Sequence, residues 1–129
     1  MLTELAVLRE LILDASSSRK DCEIALDQLA LIFSEVGGVA PDPSFDGWAD
    51  DSRLQQGVAI NPRAAAHCIT DYRRSVVLIR GVHAAMTELC GRRRALPVKV
   101  LYAGCGPYAL LVLPLLDLFP RGSLELTLL

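Results

Sequence analysis

Residues 98–109, Val-Lys-Val-Leu-Tyr-Ala-Gly-Cys-Gly-Pro-Tyr-Ala, are the part of the chain that is most informative about its fold. Its first five residues, 98–102, form a short and mainly apolar run that predicts a buried strand. Gly104 and Gly106 then predict a tight turn, and the apolar residues that follow predict a helix through about Leu118. This order is typical of nucleotide-binding units, because glycine lets the backbone approach the ligand and a helix N-terminus presents free N–H groups.

A second strand is predicted immediately after this helix. The turn at 119–122 contains proline and glycine, and residues 123–129 alternate leucine with Glu125 and Thr127. Two strands joined by a helix in this way are expected to be parallel, with a right-handed crossover. The predicted fold class is therefore α/β, a helical N-terminal region followed by the first β-α-β unit of a Rossmann-like fold, with the remainder of that fold incomplete.

Two amphipathic helices are predicted upstream. Residues 2–14 carry leucines at helical spacing, and residues 19–36 carry a wider apolar stripe. The serines at 16–18 offer an N-cap for the second helix, and Gly37-Gly38 offers a left-handed C-terminal stop. Both helices are interpreted as packing elements.

Residues 39–61 are predicted to be an irregular acidic loop. Prolines, glycines and four aspartates interrupt it, and it also holds Phe45 and Trp48. The favoured interpretation is that the two aromatic residues anchor the loop on the core. The alternative is a lid that closes over a substrate, since long ordered loops tend to be functional.

A long helix is predicted from Asn61-Pro62, where asparagine is a good N-cap and proline suits the first turn. Its seam repeats at alternating spacings of four and three residues: Ala65, Ile69, Tyr72, Val76, Ile79, His83, Met86 and Cys90. Gly81 is the position at which a bend or split is expected. His83 is interpreted as a core histidine. The chain thus divides into residues 1–61, 62–97 and 98–129.

Composition limits the class of protein. The chain has 129 residues, of which 52% are hydrophobic and 22% charged, which excludes disorder and fits one globular domain. The longest apolar stretch, 108–116, is interrupted by Pro114, and the N-terminus lacks a secretory signal. We therefore expect a soluble cytoplasmic protein without a membrane partner.

Charge is unevenly distributed. Residues 1–61 hold eleven acidic and four basic residues, whereas residues 62–129 hold nine basic and four acidic ones. Attraction between the two halves explains this better than a nucleic-acid surface, because aromatic residues suited to base stacking are only 5%. The sequence therefore does not favour nucleic acid as a partner.

The cysteines show no metal-binding spacing. Cys22, Cys68, Cys90 and Cys105 include no Cys-x-x-Cys pair, and no histidine stands at zinc-finger spacing from them. We predict reduced, mostly buried thiols and no metal site.

The sequence around the glycines resembles motif I of class I S-adenosylmethionine-dependent methyltransferases. In that family a strand ends in an acidic residue followed by x-Gly-x-Gly, and Gly-Cys-Gly is frequent. The resemblance implies that the cofactor-binding residues are Tyr102, Ala103, Gly104, Cys105 and Gly106. Tyr102 departs from the family, since it stands where Asp or Glu usually helps to hold the amino-acid end of the cofactor.

A second resemblance lies upstream of this turn. Asp71-Tyr72-Arg73-Arg74-Ser75 is similar to the Asp-x-x-Arg-Thr stretch of protein arginine methyltransferases, whose arginine meets the cofactor carboxylate. The resemblance implies this role for Arg74, and the planar guanidinium suits a carboxylate. The alternative is a plain surface arginine.

Together these resemblances cover residues 62–129 and imply the N-terminal portion of a methyltransferase with S-adenosylmethionine as cofactor and an unidentified methyl acceptor. A class I core has seven strands, and this chain has material for two, so we expect the chain alone to lack activity. No catalytic residue is identified. An open apolar edge of Leu124, Leu126, Leu128 and Leu129 also offers a surface for a homo-oligomer.

Three alternatives stay open at this stage. A non-catalytic helical assembly module predicts a stable oligomer without cofactor affinity. A nicotinamide-dependent oxidoreductase fragment is disfavoured by Tyr102 and by the sequence Gly-Cys-Gly-Pro that follows it at 104–107. A nucleic-acid binder would need strong, salt-dependent binding.

Overall fold

The computed structural model describes residues 2–42, 44, 52–55, 57–92 and 97–129. Within them the helices are α1 (Leu2–Leu13), α2 (Arg19–Gly37), α3 (Pro62–His67) and α4 (Tyr72–Gly91), with 3-10 helices at Cys68–Thr70 and Leu113–Leu118. The strands are β1 (Ser52–Leu54), β2 (Gly57–Ala59), β3 (Val98–Tyr102) and β4 (Leu124–Leu128). The protein is therefore mixed α/β with its longest helices ahead of its parallel strands, as predicted.

Both N-terminal helices are confirmed, together with the caps of α2. The Ser18 hydroxyl accepts a hydrogen bond from the Asp21 amide at 3.1 Å, and the Asp21 carboxylate accepts one from the Ser18 amide at 3.2 Å. This reciprocal pair satisfies two amides that would otherwise lack a partner at the helix start. Gly38 ends the helix in the left-handed conformation, and its amide donates to the Ser34 carbonyl.

The core lies where α1, α2 and α4 pack together and is closed from one side by the second 3-10 helix. It consists of Leu8, Ile12, Ala25, Leu26, Leu29, Ala30, Ile69, Ile79 and Leu115. Arg80 of α4 also ties the helices together, because its guanidinium donates to the carbonyls of Ile12 at 2.7 Å and Asp14 at 2.8 Å. The Ile12 carbonyl belongs to the last turn of α1, where carbonyls lack an intrahelical partner, and Asp14 directly follows that helix.

The long predicted helix is divided, but at a different place from the one expected. The break lies at Cys68–Thr70 and Asp71, whereas α4 runs through Gly81 without interruption. Asp71 has a non-helical ψ of 71° and its carboxylate accepts from the Arg74 amide at 3.3 Å, so it caps a new helix. The prediction at Gly81 was wrong because the weak helix propensity of one glycine is outweighed by packing of its neighbours in the core.

The seam of this region packs within the same chain. Ile79 and Met86 are buried, and Tyr72 and Val76 pack against the core. His83 is half-buried instead of lying in the core, and its ring centroid is 6.3 Å from that of Phe119.

β3 and β4 pair in parallel, which confirms the predicted arrangement of the two strands. Val98 pairs with Leu124 and Tyr102 with Leu128. Lys99 and Glu125 are direct cross-strand neighbours whose charged atoms lie 3.9 Å apart. The carboxyl ends of both strands therefore meet at the edge from which the glycine turn emerges.

The connection between these strands differs from the α-helix that the sequence predicts. Residues 103–112 form successive turns and are followed by the 3-10 helix, so the expected α-helix through about Leu118 is absent from this described segment. Ala109 has a φ of +42°, far from the helical value near −63°, and Pro114 lacks the N–H that an α-helix would direct to the Leu110 carbonyl. Pro114 was the sequence signal against this helix, but the prediction gave more weight to the apolar residues around it.

The acidic region 39–61 is less irregular than predicted. Its described part contains the hairpin of β1 and β2, which pair antiparallel with Arg53 opposite Val58. Phe45 and Trp48, on which the anchor and lid interpretations depend, lie outside the described residues.

Further expectations concern the thiols, the apolar edge and membrane-spanning helices. All four cysteines are free, but Cys22 alone is buried and Cys68 is exposed, so the prediction of mostly buried thiols was wrong. Of the predicted apolar edge, Leu128 and Leu129 are exposed, whereas Leu124 and Leu126 are half-buried. In the described part of the chain, none of the helices has both the length and the apolar character that a membrane span requires.

Candidate functional site

A cavity of about 310 Å³ lies between the start of α4, the short helix α3 and the glycine turn after β3. Its described walls are formed by Ile60, Ala65, Ala66, Cys68, Ile69, Arg74, Ser75, Leu78, Tyr102, Gly104, Cys105, Gly106, Pro107, Tyr108, Leu110 and Leu111. The volume is at the lower end of the range for small-molecule sites, roughly 300–1,000 Å³.

Arg74 enters this cavity from the first turn of α4. Asp71, the N-cap of that helix, lies beside it, with a carboxylate oxygen 3.6 Å from the Arg74 Nε. The Arg74 side chain is still half exposed. Since a guanidinium has five N–H groups, one contact through Nε leaves its outer N–H groups available to an anion.

The glycine turn forms the opposite wall. Gly104 and Gly106 have φ values of +70° and +61°, a left-handed conformation that side chains other than glycine rarely adopt. A Cβ added at Gly106 would meet the Ala65 Cβ at 3.6 Å, so the turn lies directly against α3. The Cys105 amide donates to the Leu129 carbonyl at 3.0 Å, and the Leu129 amide donates to the Tyr102 carbonyl at 3.1 Å. The turn is therefore held by the end of β4.

Tyr102 is the last residue of β3, and it lines the cavity. Burial raises the pKa of its hydroxyl, and the neighbouring Cys105 and Cys68 add to the shift. The Leu111 backbone and the Arg74 guanidinium act in the opposite direction and partly offset it. The phenol is accordingly neutral at pH 7, so it offers the cavity a hydrogen-bond donor but no negative charge.

Tyr108 anchors the turn to the helical region. It is buried, its hydroxyl donates to the Val39 carbonyl at 2.6 Å, and the same hydroxyl lies 2.8 Å from the Ser34 Oγ. Its ring centroid is 5.6 Å from that of Phe33. These contacts join the glycine turn to the end of α2, so the cavity wall is fixed from both sides.

The charge in the cavity is of one sign. Among the described residues that line it, Arg74 is the cation, and no aspartate or glutamate is present. The same described residues offer no group of three or more histidine, cysteine or acidic side chains that could hold a metal ion. The remaining walls are mostly apolar. Chemically, the cavity is suited to a mainly apolar ligand that carries an anionic group.

The structure brings most of the predicted cofactor residues together. Arg74, Tyr102, Gly104, Cys105 and Gly106 all line the same cavity, although Arg74 is 28 or more residues away from the others in the sequence. Ala103 lies on the turn but outside the lining, and its side chain is exposed.

Eleven of the sixteen described lining residues were not among the predicted site residues, and Cys68 and Tyr108 are two of them. Cys68 lies in the 3-10 helix that separates α3 from α4, and Tyr108 lies in the segment interpreted as helix. Asp71 was a signal for the first, since an aspartate ahead of a helical pattern indicates an N-cap. The aromatic residue beside Pro107 carried no comparable signal.

Comparisons of the whole chain with protein-family models, with curated proteins and with solved structures give no match in any of the three.

Proposed function

We propose that this chain is the N-terminal, cofactor-binding portion of an S-adenosylmethionine-dependent methyltransferase with a Rossmann-like core. The observation that carries the proposal is the convergence of Arg74 and the Gly104–Gly106 turn on one cavity at the carboxyl end of β3. Ligands of open α/β sheets bind at this end of the strands. The methyl acceptor is not specified by any described residue.

The residues in the cavity fit the amino-acid end of such a cofactor. A carboxylate can pair with the Arg74 guanidinium, and the neutral Tyr102 hydroxyl can donate a hydrogen bond to it. The left-handed glycines keep Cβ atoms away from the ligand and let the backbone approach it. Ile69, Leu78 and Leu110 supply apolar walls for the thioether region.

When bound, the cofactor would supply an electrophilic methyl group on a sulfonium sulfur. The role of this chain is then to bind and orient that group and to exclude water from the sulfonium, which requires positioning and not a nucleophilic side chain. The anchors of the glycine turn serve this purpose. The hydrogen bonds from Tyr108 to Val39 and from Cys105 to Leu129 hold the turn against the end of α2 and the residue that follows β4.

Calorimetric titration of the chain with S-adenosylhomocysteine tests the proposal. The informative variant is Gly106→Val, because valine at a φ of +61° strains the turn and places side-chain atoms toward Ala65 in the cavity. The matched control is Gly122→Val, since Gly122 also has a positive φ of +79° but lies outside the cavity with open space around it.

The expected result is binding by the parent chain and by Gly122→Val, and loss of binding by Gly106→Val. Circular dichroism of all three proteins shows whether each has its native helix content. Absence of binding by the folded parent chain would contradict the proposal, and so would equal binding by the two valine variants.

A second candidate is a non-catalytic helical assembly module. The observation that favours it is the exposure of Leu128 and Leu129 at the end of β4, since exposed apolar patches often mark protein interfaces. This function requires a concentration-dependent oligomer that Leu128→Glu disrupts, together with no affinity for an adenosyl ligand. Sedimentation of both proteins beside the titration distinguishes the two functions.

A further inference from the structure

A second cavity lies on a different face of α4 from the candidate cofactor site. Its volume is about 230 Å³, and its described walls come from the start of α2 and the first half of α4. The described lining residues of the two cavities do not overlap, since Arg74 lines the first and its neighbour Arg73 lines the second. The second cavity is therefore a separate place at which a ligand can bind.

Three arginines line this second cavity. Arg19 belongs to the first turn of α2, whereas Arg73 and Arg80 belong to α4. A spacing of seven residues places Arg73 and Arg80 on one face of the helix, about two turns apart. Positive charges collected around one small volume repel each other unless an anion lies between them. This arrangement therefore favours an anionic ligand.

Arg80 is the fixed cation of the three. It is half-buried and donates through Nε to the Ile12 carbonyl at 2.7 Å and through Nη2 to the Asp14 carbonyl at 2.8 Å. Both acceptors are neutral, so these bonds hold the guanidinium in place without neutralising its charge. The Asp14 carboxylate lies in the field of Arg80, but its own hydrogen bonds come from Ser16. The remaining N–H groups of Arg80 can donate to a ligand.

Arg19 and Arg73 add mobile donors from the two sides of the cavity. Arg19 contacts the Glu23 carboxylate through Nε at 2.7 Å, which leaves its outer N–H groups for a second anion. Arg73 is exposed and forms no ion pair in the part of the chain that the structure describes. Direct contact with a carboxylate thus compensates one of the three charges, that of Arg19.

The rest of the wall is apolar and restricts the ligand further. Val76 and Val77 line the cavity between the two arginines of α4, and Val77 is 62% exposed. The Tyr72 hydroxyl donates to Asp27 at 2.8 Å, so this residue offers its ring to the cavity while its polar group is already bonded. An apolar group on the ligand would gain free energy by covering Val77.

We propose that this second cavity binds a small organic phosphate monoester, with Arg73 and Arg80 as its main phosphate ligands and with Val76 and Val77 in contact with the organic group. A phosphate monoester carries a charge near −2 at pH 7 and three acceptor oxygens, which suit several guanidinium forks better than one carboxylate does. The inference goes beyond the proposed function and does not depend on it.

Titration of the full chain with three anions tests the proposal: phenyl phosphate, inorganic phosphate and benzoate. Amide NMR spectra follow binding at a constant ionic strength of about 0.15 M, which screens weak surface attraction. Phenyl phosphate is expected to bind at least ~3-fold more tightly than inorganic phosphate and ~10-fold more tightly than benzoate. The amide signals of residues 17–22 and 76–80 are expected to shift, whereas those of residues 103–106 are expected to stay in place.

Two matched pairs of variants assign the binding to residues. Arg73→Gln is expected to weaken phenyl phosphate binding by ~10-fold, whereas Arg74→Gln, the same change at the next position, is expected to alter it by less than about threefold. Arg19→Gln is compared in the same way with Lys20→Gln, since Lys20 is also exposed at the start of α2 but does not line the cavity. Circular dichroism shows that each variant is folded.

Several results would overturn the proposal. One is the absence of saturable phenyl phosphate binding by the folded chain up to ~10 mM. Another is a loss in Arg74→Gln with shifts at residues 103–106, which would place the anion in the candidate cofactor site. Equal losses within each matched pair would show attraction to net charge alone, and equal binding of benzoate would refute the phosphate class.

The organic group is tested separately with Val77→Ser, which is suited to this because Val77 is exposed and outside the core. This variant is expected to bring the affinity for phenyl phosphate down toward that for inorganic phosphate. An unchanged ratio of the two affinities would overturn the assignment of Val77 to the organic group.

Discussion

Leu115→Ala tests whether the connection between the two parallel strands is packed into the core. Leu115 lies in the 3-10 helix Leu113–Leu118, and it is completely buried among the residues of α1, α2 and α4. The sequence predicts an α-helix here, and a 3-10 segment is a less regular support for a ligand site. The burial of this side chain therefore measures how firmly the segment after the glycine turn is packed against the helices.

The expected loss of stability follows from the burial of Leu115. Truncation to alanine removes carbon atoms equivalent to three methylene groups, each worth roughly 0.8 kcal/mol when fully buried. The cavity that remains adds to this, so the free energy of unfolding is expected to fall by about 3 kcal/mol, within the range of about 2–5 kcal/mol for such changes. The matched control is Leu113→Ala in the same segment. Leu113 is 41% exposed, so about 1 kcal/mol or less is expected.

Urea denaturation followed by circular dichroism measures both changes, and an unchanged denaturant dependence shows that the unfolding reaction is the same. Leu115→Val, expected to cost about 1 kcal/mol, replaces the alanine variant if that variant does not fold. Equal, small losses for Leu113→Ala and Leu115→Ala would refute the reasoning, because they would show that the segment is not packed against the helices.

Two further predictions concern hydrogen bonds. Tyr108→Phe removes the hydroxyl that bonds Val39 and Ser34, and it is expected to lower the free energy of unfolding, measured in urea, by about 1–2 kcal/mol. Tyr72→Phe is the control, and it is expected to cost less because its hydroxyl bonds the exposed Asp27. Equal losses for the two variants would contradict this expectation. The Ser16 hydroxyl and amide donate to the Asp14 carboxylate and lower its pKa below 3.8. The ionised Asp14 therefore stabilises the fold above pH 3.8, and this stabilisation is lost as the pH falls through the lowered pKa. Ser16→Ala is expected to raise the pKa of Asp14 toward 3.8 in an NMR titration and to weaken the dependence of stability on acid, and an unchanged pKa would disprove the assignment.

The fold was predictable where a local signal and tertiary packing agree. The boundaries of α2 follow from Ser18 and Gly38, and β3 follows from an apolar run bounded by proline and glycine. The prediction failed where two local signals conflict. Apolar spacing favoured a helix after Gly106, whereas Pro114 disfavoured it, and the positive φ of Ala109 depends on its buried position and not on its own preference. The break at Asp71 was missed for a related reason, because the apolar seam continues through it.

The candidate site shows what a sequence can and cannot reveal about position. The glycine turn is recognisable because its residues are contiguous and each needs a special conformation. Arg74 was placed at the same site only through the resemblance of residues 71–75 to a methyltransferase stretch, and its approach to the turn depends on how α4 packs beside β3. The same limit applies to Tyr102, whose identity is plain in the sequence but whose chemistry depends on burial beside Cys105 and Arg74. The cavity combines a cation from α4 with a neutral phenol from β3, so its charge pattern is a property of the packing and is not contained in either motif.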